Sequence, residues 1–313
     1  MQKQGGFFMK LLFSVFISLL TLSPAASYSQ KVVFEGLKEI NGTQLYFKVI
    51  GDGEPLLVVH GGPGLNHNYF LPHLEKLAKK YQLIFYDQRS AGQSALNIKT
   101  HMNLKTFAAD IDAIRIEFGI DKLNILCHSW GALPATEYAV TFPNNIKSII
   151  YCSPVPLNTK YAMQANQNAI ERTSSADSLK KVQLLASPGF QNGEMATVNE
   201  LMLLSFKQVF CDTNKLKNFD PKLPDNYLVA SLSLAGLMPE MKNYNYYSKL
   251  SAIKAPVLII HGNCDIVTPE TDQKLKEALP NSTITTFERS GHFPFIEENK
   301  KFTRTVKKFL KKL

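Results

Sequence analysis

The sequence predicts an α/β fold, with helices flanking a mostly parallel sheet of eight strands and a helical segment inserted before the last two strands. Past residue 30, short apolar runs alternate with amphipathic segments, the pattern of a sheet covered by helices. Between residues 154 and 250 the alternation gives way to helical patterns joined by polar stretches. The chain has 313 residues, 45% hydrophobic and 19% charged, so it can bury one large core and a modest insertion.

The first 29 residues have the pattern of a signal peptide. Lys3 and Lys10 supply positive charge, residues 11–20 form an apolar stretch, and small residues follow before residue 30. The apolar stretch is too short for a comfortable membrane span. We expect residues 1–29 to be removed and the protein to be exported, to the periplasm or the medium, with no stable membrane span. An uncleaved N-terminal anchor is the alternative.

The order of the predicted elements is typical of a mostly parallel sheet. A hairpin comes first, with strands at 31–39 and 43–50 joined by Asn41-Gly42, a strong turn signal. The remaining predicted strands occupy residues 55–60, 82–86, 123–127, 146–152, 256–261 and 283–287. The predicted helices occupy residues 69–80, 104–118, a stretch ending near 143, 270–279 and the C-terminal residues. We expect a core made of residues 30–153 and 251–313, and a helical cap made of residues 154–250 beside the strand ends.

The net charge of +9 comes largely from the C-terminal end of the chain. Seven of the last fourteen residues are Lys or Arg, and apolar residues recur among them at helical spacing. We interpret this end as an amphipathic helix whose cations face solvent. An acidic lipid surface or nucleic acid is the alternative partner, but no recognised nucleic-acid module accompanies the charge, and we expect no nucleic-acid partner.

The four cysteines do not form a zinc-type or thioredoxin-type pattern, because no Cys-x-x-Cys pair occurs. Cys127, Cys152 and Cys264 each lie at or just past the end of an apolar strand, which favours small buried thiols. An exported protein can form disulfides, and a bridge between Cys127 and Cys152 is conceivable. The pairing, including that of Cys211, stays open.

The clearest functional motif is Cys127-His128-Ser129-Trp130-Gly131, which follows a predicted strand and precedes a predicted helix. This is the setting of a nucleophile elbow, a sharp turn that exposes a serine hydroxyl at the C-terminal end of a strand. The turn also leaves the backbone N–H of Trp130 free to bind a developing oxyanion. Cys127 stands where glycine is usual. Ser129 is therefore the candidate nucleophile.

A serine hydroxyl needs a base, and chains with such an elbow supply an acid and then a histidine later in the sequence. Of the two histidines after Ser129, His261 closes a predicted strand, whereas His292 lies in a loop between the last strand and the last helix. We choose His292 as general base. Asp265 directly follows the strand 256–261, where it would fix the tautomer of that histidine.

The loop after the third strand, His60-Gly61-Gly62-Pro63-Gly64, predicts a second oxyanion donor. Glycines let the backbone approach a substrate oxygen closely, and the N–H of Gly62 is the candidate. A tight turn without catalytic meaning is the alternative. The phosphate-loop and dinucleotide-binding glycine patterns do not occur in the sequence, and we predict no metal site and no cofactor.

These motifs, together with the segment Asp-Gln-Arg-Ser-Ala-Gly-Gln-Ser at residues 87–94, resemble the proline iminopeptidase family of α/β-hydrolases. The resemblance covers essentially all of the chain past the signal peptide. It implies an α/β-hydrolase fold with a helical cap, and an aminopeptidase that removes an N-terminal residue, often proline, through an acyl-enzyme. Cap carboxylates bind the free amine in that family, and Glu200 is our first candidate for this role, with Glu240 second. The elbow departs from the family's usual Gly-Gly start.

Two other functions stay open. An esterase would use the same three catalytic residues on a carboxylic ester, with an apolar cap pocket and no amine anchor. A non-catalytic binding protein would keep the fold without the chemistry, although the complete set of catalytic residues argues against it. The expected partner is a small peptide or ester, and the sequence does not indicate an oligomeric state.

Overall fold

The computed structural model describes residues 31–97 and 102–313. The predicted signal peptide, residues 1–29, lies outside the described residues. Within the described part of the chain, no helix combines the length and the apolar character that a membrane crossing requires.

One sheet of eight strands forms the centre of the molecule. Its strands are β1 (Val32–Ile40), β2 (Thr43–Ile50), β3 (Glu54–Val59), β4 (Tyr81–Tyr86), β5 (Leu123–Ser129), β6 (Ile146–Pro154), β7 (Val257–Gly262) and β8 (Ser282–Phe287). Their order in the sheet is β1-β2-β4-β3-β5-β6-β7-β8. β2 pairs antiparallel with β1 and β4, and the other neighbours pair parallel. The predicted mostly parallel, eight-stranded sheet is confirmed.

Helices cover both faces of the sheet, which explains why its central strands are continuous apolar runs. The helices are α1 (Leu104–Glu117), α2 (Ala132–Thr141), α3 (Thr159–Arg172), α4 (Ser175–Leu185), α5 (Pro188–Gln191), α6 (Met195–Phe206), α7 (Tyr227–Ser233), α8 (Met238–Met241), α9 (Pro269–Ala278), α10 (Pro294–Glu297) and α11 (Asn299–Leu310). One hydrophobic core lies between the sheet and α1, α2 and α9. The other lies between the opposite face and α11, which buries Phe302, Val306 and Leu310.

The N-terminal hairpin forms as the Asn41-Gly42 pair predicts. Asn41 has φ of 48° and Gly42 has φ of 72°, and β1 pairs with β2 on either side of them. Positive φ at both central residues is what a two-residue type I′ turn requires, and Asn and Gly tolerate it best.

The helix predicted at residues 69–80 does not form. Two short 3-10 turns replace it, at His67–Phe70 and Glu75–Leu77. Pro72 explains the difference, because proline has no backbone N–H and pushes the preceding residue out of helical geometry. Leu71 accordingly has an extended backbone that ends the first turn. Tyr69, Phe70, Leu74 and Leu77 are still buried against the sheet.

A helical segment runs from the end of β6 to the start of β7. We call residues 155–250 the cap segment; it contains α3 to α8 and several 3-10 turns. Its two ends meet at the edge of the core, where Asn158 and Asn245 form an antiparallel bridge. The Tyr246 N–H donates to Leu157 O at 2.9 Å beside that bridge. The segment thus leaves and rejoins the core at one place.

The cysteines pair differently from the sequence expectation. Cys211 in the cap segment and Cys264 after β7 form a disulfide, with their Cα atoms 5.2 Å apart. The prediction of a free thiol at Cys264 was wrong, because it considered only the strand before that residue and not the cap segment that folds back beside it. Cys127 and Cys152 are buried free thiols, as predicted, and no bridge joins them.

Candidate active site

Ser129 lies at the sharp turn between β5 and α2. Its φ of 54° is in the left-handed region, which is strained for a residue other than glycine. The Gly131 N–H donates to His128 O at 2.9 Å and closes the turn. A Cβ on Gly131 would lie 2.6 Å from the carbonyl oxygen of His60, so only glycine fits. The elbow therefore has the local geometry that its sequence predicts.

The structure brings the three predicted catalytic side chains together. His292, in the loop between β8 and α10, places Nε2 2.8 Å from the Ser129 Oγ. Its Nδ1 lies 2.9 Å and 3.1 Å from the two carboxylate oxygens of Asp265. The meeting follows from the topology, because β5, β7 and β8 run parallel and their C-terminal ends reach the same edge of the sheet. The arrangement can remove a proton from a serine hydroxyl.

The backbone holds the carboxylate of Asp265 in place. The Ile266 N–H donates to Asp265 Oδ1 at 2.6 Å, and the Val267 N–H donates to the same oxygen at 3.4 Å. Asp265 is 3% exposed, so water competes little for its hydrogen bonds. The carboxylate therefore fixes the orientation of the His292 ring.

The two predicted oxyanion donors border the same space as Ser129. Gly62 and Trp130 both line one cavity with Ser129 and His292. Gly62 has φ of 135°, and a Cβ built on Gly61 would lie 3.0 Å from the Ser129 Cβ, so the glycine loop passes directly over the serine. Gly62 and Trp130 therefore border the space in which a carbonyl oxygen attacked by Ser129 would become negative.

The Asp87-Gln88-Arg89 motif is hydrogen-bonded to His60, the first residue of the glycine loop. The Gln88 N–H donates to His60 Nε2 at 2.9 Å, and its side-chain amide donates to His60 O at 2.7 Å. Burial lowers the pKa of His60 to about 4, so the ring is neutral and can accept that bond. Arg89 forms a buried ion pair with Asp110. The motif is thus structural and positions the glycine loop.

Glu297 is a residue that the sequence analysis did not identify. Its carboxylate accepts the N–H groups of Gly291, Cys211 and Asp212, at 2.6 to 3.1 Å. Burial raises the pKa of Glu297 against the opposing effect of those N–H groups. Since Gly291 precedes His292 and Cys211 belongs to the cap segment, this carboxylate joins the cap to the histidine loop. In the sequence, Glu297 is one of two adjacent glutamates that follow the histidine loop, and such a pair is too common on helices to indicate a role.

The cavity beside Ser129 has a volume of about 430 Å³ and is lined by the cap segment on one side and the core on the other. Most of its lining is apolar, including Ala162, Ala165, Phe206, Met238 and Met241. The polar side chains in the lining, apart from Ser129 and His292, include neutral amides and hydroxyls. No Asp, Glu, Lys or Arg occurs among the described residues that line this cavity.

The two predicted amine-binding glutamates lie elsewhere. Glu200 pairs with Lys180 at 3.1 Å, with about half of each side chain exposed to solvent. Glu240 accepts the backbone N–H of Leu104 at 2.8 Å and so caps the start of α1. Neither belongs to the cavity lining. The structure therefore does not bring them to Ser129: α6 presents Glu200 to solvent, and Glu240 is engaged at the start of α1.

Comparisons with known proteins agree with this architecture. The chain is 29% identical over 303 residues to a proline iminopeptidase of Clostridium botulinum, covering 90% of this chain and 99% of that one. A proline iminopeptidase of Clostridioides difficile is 27% identical, with 89% and 98% covered. The resemblance inferred from the motifs is confirmed.

Solved structures with the same fold include several hydrolases. An esterase from Exiguobacterium antarcticum has a TM-score of 0.66 and 21% identity, covering 89% of this chain and all of that one. The proline iminopeptidase of Mycobacterium smegmatis has a TM-score of 0.62 and 20% identity, covering 91% and 98%. The family model described as alpha/beta hydrolase fold matches residues 54–299. The chain therefore belongs to the α/β-hydrolase fold family.

Proposed function

We propose that the protein is a serine hydrolase, an aminopeptidase of the proline iminopeptidase type that releases N-terminal residues from short peptides through an acyl-enzyme. The observation that supports it most is the position of His292, hydrogen-bonded to Ser129 at 2.8 Å and to Asp265 at 2.9 Å. In this proposal Ser129 is the nucleophile, His292 the general base and Asp265 the residue that orients it.

The reaction proceeds in two halves. The His292 Nε2 takes the hydroxyl proton as the Ser129 Oγ attacks the carbonyl carbon, and Asp265 stabilises the imidazolium. The imidazolium then protonates the leaving amine as the C–N bond breaks, which leaves an ester on Ser129. Water, deprotonated by the same imidazole, hydrolyses that ester and restores the enzyme.

The oxygen that becomes negative in each half needs hydrogen-bond donors. We assign this role to the backbone N–H groups of Gly62 and Trp130, because both residues border the cavity at Ser129. Donors that are fixed before the reaction stabilise the charge without reorganising, and the loss of one costs about 10²- to 10³-fold in kcat. All groups of this scheme belong to the protein, and it requires no cofactor.

The peptidase assignment is supported by the relatives. Proline iminopeptidases match the chain over about nine tenths of its length and over nearly all of their own. A free N-terminal amine, in this cavity, would meet neutral acceptors such as the amides of Asn166 and Gln208. We therefore expect the amine to contribute less to binding than it would beside a carboxylate.

One observation favours a second function, hydrolysis of carboxylic esters. The described lining of the cavity carries no charged Asp, Glu, Lys or Arg side chain, so it suits an uncharged acyl group better than an ammonium group. The same serine, histidine and aspartate would act on the ester carbonyl.

Three chromogenic substrates separate the two functions: proline p-nitroanilide, its N-acetyl derivative, and a short-chain p-nitrophenyl ester. A peptidase hydrolyses the first and loses most of that activity on acetylation. Turnover of the ester alone would replace the aminopeptidase with an esterase, and equal turnover of both anilides would show that the enzyme does not require a free N-terminal amine. Ser129→Ala is the control, and the proposal fails if that variant retains activity or if an organophosphonate does not label Ser129 in the parent protein.

We also propose that the protein is exported. The N-terminal pattern of charge, apolar residues and small residues supports this. The Cys211–Cys264 disulfide is a second support, since disulfides persist mainly in oxidising compartments.

A further inference from the structure

His128, the residue before the nucleophile, is buried beneath the site. It is 1% exposed and lies among the rings of Tyr69, Phe70, Phe293 and Phe295. Its ring centroid lies 5.0 Å from that of His292. In the catalytic scheme above this imidazole has no part in proton transfer, so its burial next to the general base needs another explanation.

The hydrogen bonds around His128 have one consistent direction. The Gly61 N–H can only donate, and it donates to the Tyr69 hydroxyl at 2.5 Å. The hydroxyl hydrogen is then available for His128 Nδ1, at 2.9 Å. Since Nδ1 accepts, a neutral ring carries its hydrogen on Nε2, which donates to the backbone carbonyl of His292 at 2.8 Å. Tyr69 and His128 thus connect the glycine loop to the histidine loop.

The surroundings keep both groups neutral. Burial lowers the pKa of His128 well below its usual range, and the proximity of His292 lowers it further. Burial raises the pKa of Tyr69 well above its usual range. A second positive charge 5.0 Å away would oppose formation of the His292 imidazolium, whereas a neutral ring does not.

We propose that Tyr69 and His128 are positioning residues, which set the distance between the oxyanion loop at Gly61-Gly62 and the general base His292. Their hydrogen bonds end on backbone atoms of those two loops, so a change at either residue moves both loops relative to Ser129. The inference rests on the proposed function of Ser129 and His292. A misplacement of about 1 Å in such a site can cost on the order of 10²-fold in rate.

The test measures kcat per active site, with the concentration of active sites determined by organophosphonate titration of Ser129. For Tyr69→Phe we expect kcat per titrated site to fall by about 10- to 100-fold with KM within about twofold, because positioning changes the chemistry more than the binding. Tyr151→Phe is the matched control; Tyr151 is a buried tyrosine whose hydroxyl bonds Thr136 instead. We expect its kcat to stay within about twofold of the parent.

Two substitutions of His128 separate its two hydrogen bonds. The amide of glutamine can reach the position of Nε2 and donate to the His292 carbonyl, whereas the shorter amide of asparagine reaches only the position of Nδ1. We expect His128→Gln to retain kcat within about fivefold and His128→Asn to lose about tenfold more.

The outcomes distinguish the positioning role of Tyr69 and His128 from the proposed function. If Ser129 of the parent protein is not labelled, the proposed function fails and the positioning role with it. If Ser129 is labelled but Tyr69→Phe matches Tyr151→Phe in kcat per titrated site, the positioning role alone is wrong. Equal kcat for His128→Gln and His128→Asn would also overturn it, and this pair decides the question if Tyr69→Phe does not fold. A lower melting temperature with unchanged kcat per site would indicate a purely structural role.

Discussion

Two buried aspartates follow β7, and each is hydrogen-bonded to the Nδ1 of a histidine. Asp265 lies 2.9 Å from His292, and Asp272 lies 2.6 Å from His261. Only His292 also reaches Ser129, whereas His261 Nε2 is buried with no hydrogen-bond partner among the described residues. The protein therefore contains two buried Asp–His pairs, and only the Asp265–His292 pair contacts a serine hydroxyl.

The aspartates provide a matched test of the proposed triad. Asp265→Asn keeps the volume but loses the charge and favours the wrong tautomer of His292, so kcat should fall by about 10³- to 10⁴-fold. Asp272→Asn perturbs a similar pair without touching Ser129 and should change kcat by less than about tenfold. Steady-state kinetics with thermal denaturation of both variants checks this. Similar kcat values for the two variants would remove Asp265 from the mechanism.

His128 also makes the stability of the protein depend on pH. Its folded-state pKa is depressed by burial, so below about pH 6.5, the usual histidine pKa, the unfolded chain binds a proton that the folded chain does not. The contribution of His128 to the free energy of unfolding is therefore complete above that pH. It decreases on acidification, by about 1.4 kcal/mol per pH unit for one proton.

Urea unfolding between pH 5 and pH 6.5 measures this slope. His128→Gln cannot titrate, so its free energy of unfolding should depend on pH less steeply than that of the parent, by the equivalent of about one proton. His60, whose folded pKa is about 4, contributes to the slope in both proteins and is unchanged by the comparison. Identical slopes would mean that His128 is protonated when folded.

At the scale of elements, several contacts attach the cap segment to the loops that carry Asp265 and His292. The disulfide joins Cys211 to the residue before Asp265, and the Glu297 carboxylate accepts from Cys211 and from the residue before His292. The His292 N–H itself donates to Val209 O in the cap segment at 2.8 Å. The cap segment is thus joined by one covalent bond and several hydrogen bonds to the loops that carry Asp265 and His292.

Breaking the disulfide should loosen this attachment. The bridge closes a loop of 53 residues, for which the chain-entropy relation gives about 4 kcal/mol of stabilisation. We expect the double variant Cys211→Ser, Cys264→Ser to unfold at a lower temperature and to have a reduced kcat, because Asp265 follows the bridge directly. Dithiothreitol should lower the melting temperature of the parent protein but not that of the double variant. A parent protein insensitive to the reductant, with the disulfide demonstrably reduced, would contradict the prediction.

The elements also show which features the sequence could predict. The strands were predictable because each is a short apolar run between turn residues. The proximity of Ser129, Asp265 and His292 was predictable because topology brings the ends of parallel strands to one edge. Local patterns were misleading at residues 69–80, where apolar spacing suggested a helix but Pro72 prevents one. The position of Glu200 at the surface was unpredictable for a different reason. The orientation of a cap helix depends on its packing against other segments, which the sequence of that helix alone does not encode.

At the scale of the whole molecule, the hydrolase fold and the family were accessible from motifs, whereas contacts between distant segments were not. The Cys211–Cys264 pair illustrates the limit, because neither flanking sequence contains information about the other. The uncharged cavity is a second case. Its lining comes from the glycine loop, the elbow, the cap segment and the loops after β7 and β8, so its charge could be determined only once these segments were placed together.

The proposed export would place the chain in an oxidising compartment, where the Cys211–Cys264 disulfide can form, and it would so connect the N-terminal pattern to the site. If residues 1–29 are a signal peptide, the full-length chain should yield an exported protein that begins between residues 27 and 31, with Cys211 and Cys264 oxidised. Leu19→Arg interrupts the apolar stretch, and that variant should stay in the cytosol with its cysteines reduced and a lower melting temperature. Intact mass, thiol labelling and cell fractionation measure these outcomes. A full-length parent chain of unprocessed mass in the membrane fraction would instead establish an N-terminal anchor, and an unprocessed chain in the cytosol would refute export.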